Sequence, residues 1–280
     1  MQATVPTLSM AFMAADILLG IAVPLAMYLF FRKKYACGRL PFFVGCAVML
    51  VFAFGLEQLA HSLVFNSSLG LYLTLDPWLY ALYGGFMAGL FEETGRYAAF
   101  RALRKKYGDN DRNALMYGAG HGGFEMFVIL SISMVNNLVY SVLLNTGNTA
   151  ALTAGMTDAQ LSTVQSAFAQ LTTTAPAMFL VSPLERFAAL IAQLSLSVLV
   201  WFAAKKGGRF PLYLLAIALH MVLDAGAVLL SRFTSNILLV ELAVWAFAGL
   251  CALIAARVWK KNAGARQTDG APLPDAGEAL

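Results

Sequence analysis

Long apolar runs recur along the whole chain, and they limit the possible folds more than any other feature. Apolar residues make up 60% of the 280 positions and charged residues only 12%. A helix of about 20 apolar residues spans the ~30 Å hydrocarbon core of a bilayer, whereas a soluble domain of this length would carry more charge. The sequence therefore predicts an all-α, polytopic bundle of membrane helices. We expect an integral membrane protein, located in the bacterial plasma membrane.

Seven runs are long enough to be membrane spans. The first lacks a basic amino-terminal region and is too long for the apolar part of a signal peptide, so we expect it to be retained. The predicted spans are residues 8–31, 41–65, 77–103, 114–144, 177–204, 210–231 and 235–258. Together they predict one transmembrane domain over residues 1–261, with its functional core at about 77–231. Residues 262–280 are rich in Gly, Ala, Pro and polar residues, which is typical of a disordered tail.

Basic residues lie on one side of the predicted bundle. They follow spans one, three, five and seven, while the other connecting loops hold Asp76, Asp158 and Arg232. Because basic residues collect in cytoplasmic loops, this pattern places the amino terminus outside and the carboxyl-terminal tail in the cytoplasm. The basic clusters are Arg32, Lys33, Lys34 and Arg39; Arg104, Lys105, Lys106 and Arg112; Lys205, Lys206 and Arg209; and Lys260, Lys261 and Arg266.

The charge and the cysteines exclude several classes of protein. The net charge of +4 arises from residues that orient spans, so we expect the lipid bilayer, and no nucleic acid, as a partner. Cys37, Cys46 and Cys251 are widely spaced and form no Cys-x-x-Cys pair. This spacing argues against a disulfide framework and against a structural zinc site.

The long loop between spans four and five, residues 145–176, has a helical pattern of its own. Thr157 and Gln160 have the spacing of a capping box, and apolar residues follow at helical intervals. The pattern predicts a short amphipathic helix on the outer surface. A structural cover is the favoured role, and a substrate gate is the alternative.

Three charged residues, Glu92, Glu93 and Arg96, lie within an otherwise apolar run at residues 78–100. Charges at membrane depth cost several kcal/mol unless they are paired or hydrated, so these residues are functional candidates. Glu92 and Arg96 are four positions apart and share a helix face, so they can pair.

Two histidines reach a similar depth from other spans. Counted at ~1.5 Å per residue from the cytoplasmic ends, Glu92 lies ~16 Å deep, His121 ~10 Å and His220 ~15 Å. Each histidine shares a face with a carboxylate one helical turn later, Glu125 for His121 and Asp224 for His220. Glycines nearby allow close helix packing. They are Gly84, Gly85, Gly89, Gly118, Gly120, Gly122 and Gly123. We therefore expect the three spans to bring these side chains to one site.

This set contains the residue types that hydrolysis requires. A glutamate beside two imidazoles can deprotonate a water and stabilise an oxyanion in a low-dielectric site. A divalent metal such as zinc could be held by His121, Glu125 and His220, or with Asp224 in place of Glu125, which leaves Glu92 as the general base. The structural alternative is a buried hydrogen-bond network that fixes helix register. We favour the hydrolytic site, because scattered polar residues have no reason to coincide in depth.

Three stretches resemble the motifs of a known superfamily. Residues 92–96 (EETGR), 117–121 (YGAGH) and 220–224 (HMVLD) are similar, in order, to the motifs E-E-x-x-x-R, F-x-x-x-H and H-x-x-x-N/D. These belong to the CAAX-prenyl-protease and bacteriocin-processing superfamily of intramembrane proteases, and the surrounding sequence looks most like its YhfC-type branch of intramembrane metalloproteases.

The resemblance implies a protease that acts on membrane-embedded or membrane-anchored peptides. It implies Glu92 as the catalytic base. It also implies His121 and His220 as the polarising or metal-ligating pair, with Asp224 completing the last motif. A metal-dependent and a metal-free glutamate mechanism have both been proposed for the superfamily, so the metal stays one alternative.

Two departures from the superfamily pattern bear on these roles. Arg96 is one residue closer to the glutamates than in the motif, which leaves open whether Glu92 or Glu93 faces the site. Tyr117 stands where the motif has Phe.

A second polar set lies in the outer half of the predicted bundle. It consists of Asp16, Glu57, His61, Glu185, Arg186 and Glu241. Glu57 and Arg186 have similar predicted depths and could pair, and Glu57 and His61 lie on the wrong side to join the Glu92 site. Structural ion pairs are the favoured interpretation, and a path for substrate or protons is the alternative.

Three functions are compatible with these residues. The favoured one is a peptidase that cuts a peptide bond in the cytoplasmic half of the membrane. The inner and outer polar sets could instead form one path through a proton- or ion-coupled transporter. A non-enzymatic scaffold that binds a membrane partner is the third, and it is disfavoured because the motif residues are largely intact.

Overall fold

A computed structural model describes residues 4–205 and 209–263. Within these ranges the regular secondary structure is helical and includes no β-strand. The helices are α1 (Thr7–Tyr35), α2 (Leu40–Phe65), α3 (Ser68–Leu75), α4 (Pro77–Tyr107), α5 (Asn113–Thr146), α6 (Thr149–Thr153), α7 (Asp158–Thr173), α8 (Pro176–Ala204), α9 (Pro211–Phe233) and α10 (Ile237–Asn262). The predicted all-α fold is confirmed.

Six helices in the described ranges are long and apolar enough to cross a membrane. They are α1, α2, α5, α8, α9 and α10. The third predicted span corresponds to α4, which is 31 residues long but is not among the six. Glu92, Glu93 and Arg96, together with a basic last turn, make it less apolar than the others. The count of seven spans and the orientation of the termini stay predictions.

The ends of α4 follow from its sequence. Asp76 Oδ1 accepts hydrogen bonds from the backbone N–H groups of Trp78 at 2.8 Å and Leu79 at 3.1 Å. Pro77 occupies the first turn, where a missing N–H is tolerated. At the other end, Arg104, Lys105 and Lys106 lie in the last turn, where positive charge complements the helix dipole. These two ends define the extent of α4 and thereby the position of Glu92 along the helix.

The chain forms two compact units. The first consists of the chain up to Pro24 together with Glu125–Phe187. Its apolar core includes Met13, Met134 and Phe179. It also contains α7, which begins with the predicted capping box at Thr157 and Gln160. The prediction of a helix in this loop is therefore confirmed, whereas its placement on the outer surface stays a prediction.

The second unit consists of Leu25–Phe124 and the chain from Ala188 onward. Phe100, Tyr117, Leu199 and Trp201 lie in its largest cluster of buried apolar residues. The prediction of one domain over residues 1–261 stays a prediction. Helix α10 continues to Asn262, and the rest of the predicted tail, from residue 264, lies outside the described residues.

Glycines bring helix backbones together within the second unit. A Cβ atom on Gly89 would lie 2.8 Å from the backbone oxygen of Ile217, and Gly85 packs in the same way on Met221, so α4 and α9 run antiparallel in direct contact. A Cβ on Gly120 would overlap the backbone carbonyl of Phe42 on α2. The predicted close approach is thus found at these positions. Gly84 is different, because a Cβ there would meet no atom within 4 Å.

Candidate active site

Three helices of the second unit bring an acid and two imidazoles together. Glu92 on α4 places Oε2 2.9 Å from Nε2 of His121 on α5. Its other oxygen, Oε1, lies 3.9 Å from Nε2 of His220 on α9. His121 is fully buried, and His220 and Glu92 are nearly so. The three helices therefore bring these side chains together, as expected from their similar predicted depths.

Glu93 and Arg96 form the base of this cluster. The guanidinium of Arg96 donates to Glu93 Oε1 in a fully buried ion pair. Glu93 Oε1 also lies 2.8 Å from Nδ1 of His220. Arg96 thus pairs with Glu93 rather than with Glu92, because the rotation of α4 turns Glu93, three positions earlier, toward the guanidinium.

Gln193 on α8 joins the two glutamates, and the sequence analysis missed it. Its Nε2 donates to Glu92 Oε2 at 3.0 Å, and its Oε1 accepts from the Arg96 guanidinium. The signal available in the sequence was one neutral amide in an apolar helix, which is weaker than that of a charge at membrane depth.

Tyr117, the departure from the motif's Phe, is also part of the cluster. Its ring stacks on the His121 imidazole with the two centroids 5.7 Å apart. It is fully buried and packs on Phe100. The aromatic ring therefore restricts the orientation of the imidazole.

Asp224 lies at the edge of the cluster. Its Oδ2 is 3.5 Å from Nε2 of His220, so both ring nitrogens of this histidine face carboxylates. The Asp224 side chain is 40% exposed, whereas that of Glu93 is fully buried. The cluster is therefore closed at Glu93 and open at Asp224.

Glu125 lies in the first unit, where its carboxylate binds Arg186. Arg186 Nη1 donates to Glu125 Oε1 at 2.5 Å and Nη2 donates to Glu185 Oε1 at 2.6 Å. Across the described residues, no group of three or more His, Cys, Asp or Glu side chains has an arrangement that could hold a metal ion. The predicted set His121, Glu125 and His220 therefore does not fit a divalent metal such as zinc in this geometry.

The outer polar set is partly paired as predicted. His61 Nε2 lies 3.1 Å from Glu57 Oε1, and His61 Nδ1 lies 3.0 Å from the Tyr83 hydroxyl. Asp16 and Glu241 are buried. The pairing of Arg186 with Glu57 stays a prediction.

The expected separation of Glu57 and His61 from Glu92 stays a prediction, although His61 approaches the edge of the inner cluster. His61 and Asp224 line the same cavity, and Asp224 contacts His220. The extra turn of α9 between His220 and Asp224 extends the inner cluster toward the outer end of the helix.

Comparison with known proteins places the chain in a family. The family described as YhfC intramembrane metalloprotease matches residues 18–244. The membrane protein YhfC of Bacillus subtilis (strain 168) is 33% identical over 227 residues, which cover 80% of this chain and 86% of that protein. No solved structure matches the chain. The resemblance drawn from the motifs is confirmed at the level of the family, and the chain is an integral membrane protein that belongs to the YhfC intramembrane metalloprotease family.

Proposed function

We propose that this protein is an intramembrane peptidase in which Glu92 activates the hydrolytic water. One observation carries the proposal: a carboxylate on α4 contacts an imidazole from α5 and faces an imidazole from α9 inside a bundle of membrane helices. Ionisable groups at this depth are costly and mark functional sites. The family description and the acid–base types of the three residues support the same conclusion.

Glu92, rather than Glu93, is the proposed general base. Glu93 is held on both sides, by the Arg96 guanidinium and by His220 Nδ1, and its side chain is fully buried. Glu92 retains 8% exposure and has one oxygen, Oε1, that faces His220 Nε2 at a distance beyond a hydrogen bond. A water molecule reaching this oxygen would lose its proton to Glu92.

The proposed reaction uses the side chains of the chain itself. Water transfers a proton to Glu92 as its oxygen attacks the carbonyl carbon of the peptide bond, and the carbonyl oxygen takes up the negative charge. His220 donates a hydrogen bond to this oxyanion. When the C–N bond breaks, the proton held on Glu92 passes to the leaving amine. The products are a carboxylic acid and an amine.

The remaining residues of the cluster act by positioning. His121 and Gln193 hold Oε2 of Glu92, while Arg96 holds Glu93 and, through it, the ring of His220. The family description implies a metal, but the arrangement of the His, Glu and Asp donors does not fit one. The proposed steps are therefore assigned to Glu92 and His220.

The test compares the wild type with Glu92→Gln. New amino termini on membrane proteins are first identified by mass spectrometry in cells that express either form. The cleaved protein is then assayed with purified enzyme in proteoliposomes. Loss of general-base catalysis lowers the rate by a factor on the order of 10²–10⁴. Glu185→Gln is the matched control, since Glu185 contacts Arg186 in the other unit and should keep wild-type activity. Undiminished cleavage by Glu92→Gln contradicts the proposal.

A further inference from the structure

A cavity of about 370 Å³ adjoins the candidate active site. Three helices of the second unit line it. Among the lining residues are Gln58 and His61 from α2, Tyr83 and Gly84 from α4, and Asp224 and Val228 from α9. The proposed mechanism assigns a role to none of them, although Asp224 contacts His220. The cavity therefore needs its own explanation.

The active site is most exposed where it meets this cavity. The side chains of Arg96 and His121 are fully buried, those of His220 and Glu92 are 5% and 8% exposed, and that of Asp224 is 40% exposed. Asp224 is therefore the most exposed side chain of the cluster, and it is also the cluster residue that lines the cavity.

The wall of the cavity is mostly apolar, but it carries several polar side chains at membrane depth. His61 lies within hydrogen-bond distance of Glu57 and of the Tyr83 hydroxyl, and Gln58 is adjacent on α2. Groups of this kind are unfavourable against lipid tails and are found where they face protein or water. Gly84 leaves the α4 wall without a side chain, so the cavity has room there.

The cavity lies toward one face of the unit. His61 is four residues before the end of α2, Tyr83 is six residues after the start of α4, and Val228 is five residues before the end of α9. The basic residues of α4 lie at its opposite end, in the turn with Lys105. Since basic residues mark the cytoplasmic side, the cavity lies toward the non-cytoplasmic side.

We propose that this cavity is the entrance to the active site and that it opens on the non-cytoplasmic side of the membrane. Water enters through it, and so does the substrate, an extended peptide segment that a membrane-anchored protein exposes on that side. The catalytic part of this inference rests on the proposed peptidase activity, whereas the water-filled entrance does not.

The test uses a cysteine at Gly84. A Cβ at this position meets no atom within 4 Å, so there is open space for the start of a cysteine side chain. Intact cells are treated with a positively charged, membrane-impermeant methanethiosulfonate, and modification is read by mass spectrometry. We expect Gly84→Cys to be modified from outside. Val228→Cys, on the part of the wall formed by α9, is a second reporter in case the first variant folds poorly.

Two controls define the background. Gly249→Cys lies on α10, where a Cβ also meets no atom within 4 Å, and its position is exposed in an apolar span. A thiol that faces lipid should not react with a charged reagent. The wild type, with its native Cys37, Cys46 and Cys251, gives the reactivity of the unchanged chain.

The possible outcomes test the proposed entrance independently of the proposed peptidase activity. Modification of both cavity reporters only in inside-out vesicles, or in neither preparation, overturns the proposal. The same labelling in a Glu92→Gln background supports it even if no peptidase activity is found. If cleavage is found, a bulky adduct at Gly84→Cys should lower the rate at least tenfold, whereas the treated Gly249→Cys variant keeps its rate. An unchanged rate overturns the substrate route.

Discussion

The two ends of the polar cluster on α4 differ in their partners and in their exposure. At the closed end, Glu93 and Arg96 are fully buried and form an ion pair, and Gln193 accepts a further hydrogen bond from the guanidinium. At the open end, Glu92 and His220 keep a small exposure next to Asp224 and the cavity. Two adjacent glutamates on one helix thus have different surroundings. In the proposed mechanism, Glu93 contributes to the framework and Glu92 reacts.

Replacing Arg96 should have the largest effect, a loss of stability, because it breaks the buried ion pair with Glu93 at the closed end. Arg96→Leu leaves the Glu93 carboxylate buried without its guanidinium, and breaking a buried pair in this way costs about 3–5 kcal/mol. Thermal unfolding of the purified protein in detergent measures the loss. The double variant Arg96→Leu with Glu93→Leu removes both charges and should recover most of the stability. Equal losses in the single and double variants would show that the pair does not act as a unit.

His220→Gln tests the open end. It removes the imidazole that faces Oε1 of Glu92, and loss of one oxyanion donor lowers turnover on the order of 10²–10³-fold. We expect the loss of turnover to appear in kcat. It is measured with the substrate identified from new amino termini in cells. Thermal unfolding of the same preparation serves as the control for folding. A variant with wild-type kcat would place the oxyanion site elsewhere.

Gln193→Leu probes the contact that joins the two ends. The substitution removes the donor to Glu92 Oε2 and the acceptor for Arg96, so Glu92 loses part of its orientation. We expect kcat to fall about tenfold, which corresponds to about 1.4 kcal/mol, with KM little changed. Restoring the amide as Gln193→Asn should recover less than the wild-type rate, because the shorter side chain cannot reach both partners. A change in KM alone would assign Gln193 to substrate binding.

Treatment of the folded protein with a thiol reagent should have the smallest effect, because we expect Cys37 to stay unmodified. This residue lies between α1 and α2, and burial raises the pKa of its thiol to about 12, against the opposing influence of Arg112 and Arg32. Because the thiolate is the reactive form and a raised pKa keeps it scarce at neutral pH, N-ethylmaleimide at pH 7 should leave Cys37 unmodified in the folded protein. Mass spectrometry before and after denaturation measures this. Rapid modification of the native protein would mean that this loop is open to water.

The sequence was sufficient to predict the meeting of Glu92, His121 and His220. Each helix advances by ~1.5 Å per residue, so depth follows from counting, and the glycines at Gly89 and Gly120 allow the helices to pack closely enough for the side chains to touch. The all-α fold and the capping box of α7 were predicted for similar reasons, since both depend on local spacing.

Partner choice within the cluster could not be predicted from spacing. Positions three and four residues apart both share a helix face, so the selection of Glu93 over Glu92 by Arg96 depends on how α4 is rotated in the packed unit. The same applies to Glu125, which pairs with Arg186, 61 positions away in sequence. The cavity at Gly84 was missed because a glycine can mark either close packing or open space.

The division between the two glutamates is tested most directly by unfolding and turnover measurements on Glu92→Gln and Glu93→Gln, purified in parallel. We expect Glu92→Gln to unfold at or above the wild-type temperature but to lose turnover. Glu93→Gln should unfold at a lower temperature, because the Arg96 guanidinium stays buried without its carboxylate. An active Glu92→Gln, or a Glu93→Gln as stable as the wild type, would contradict this division.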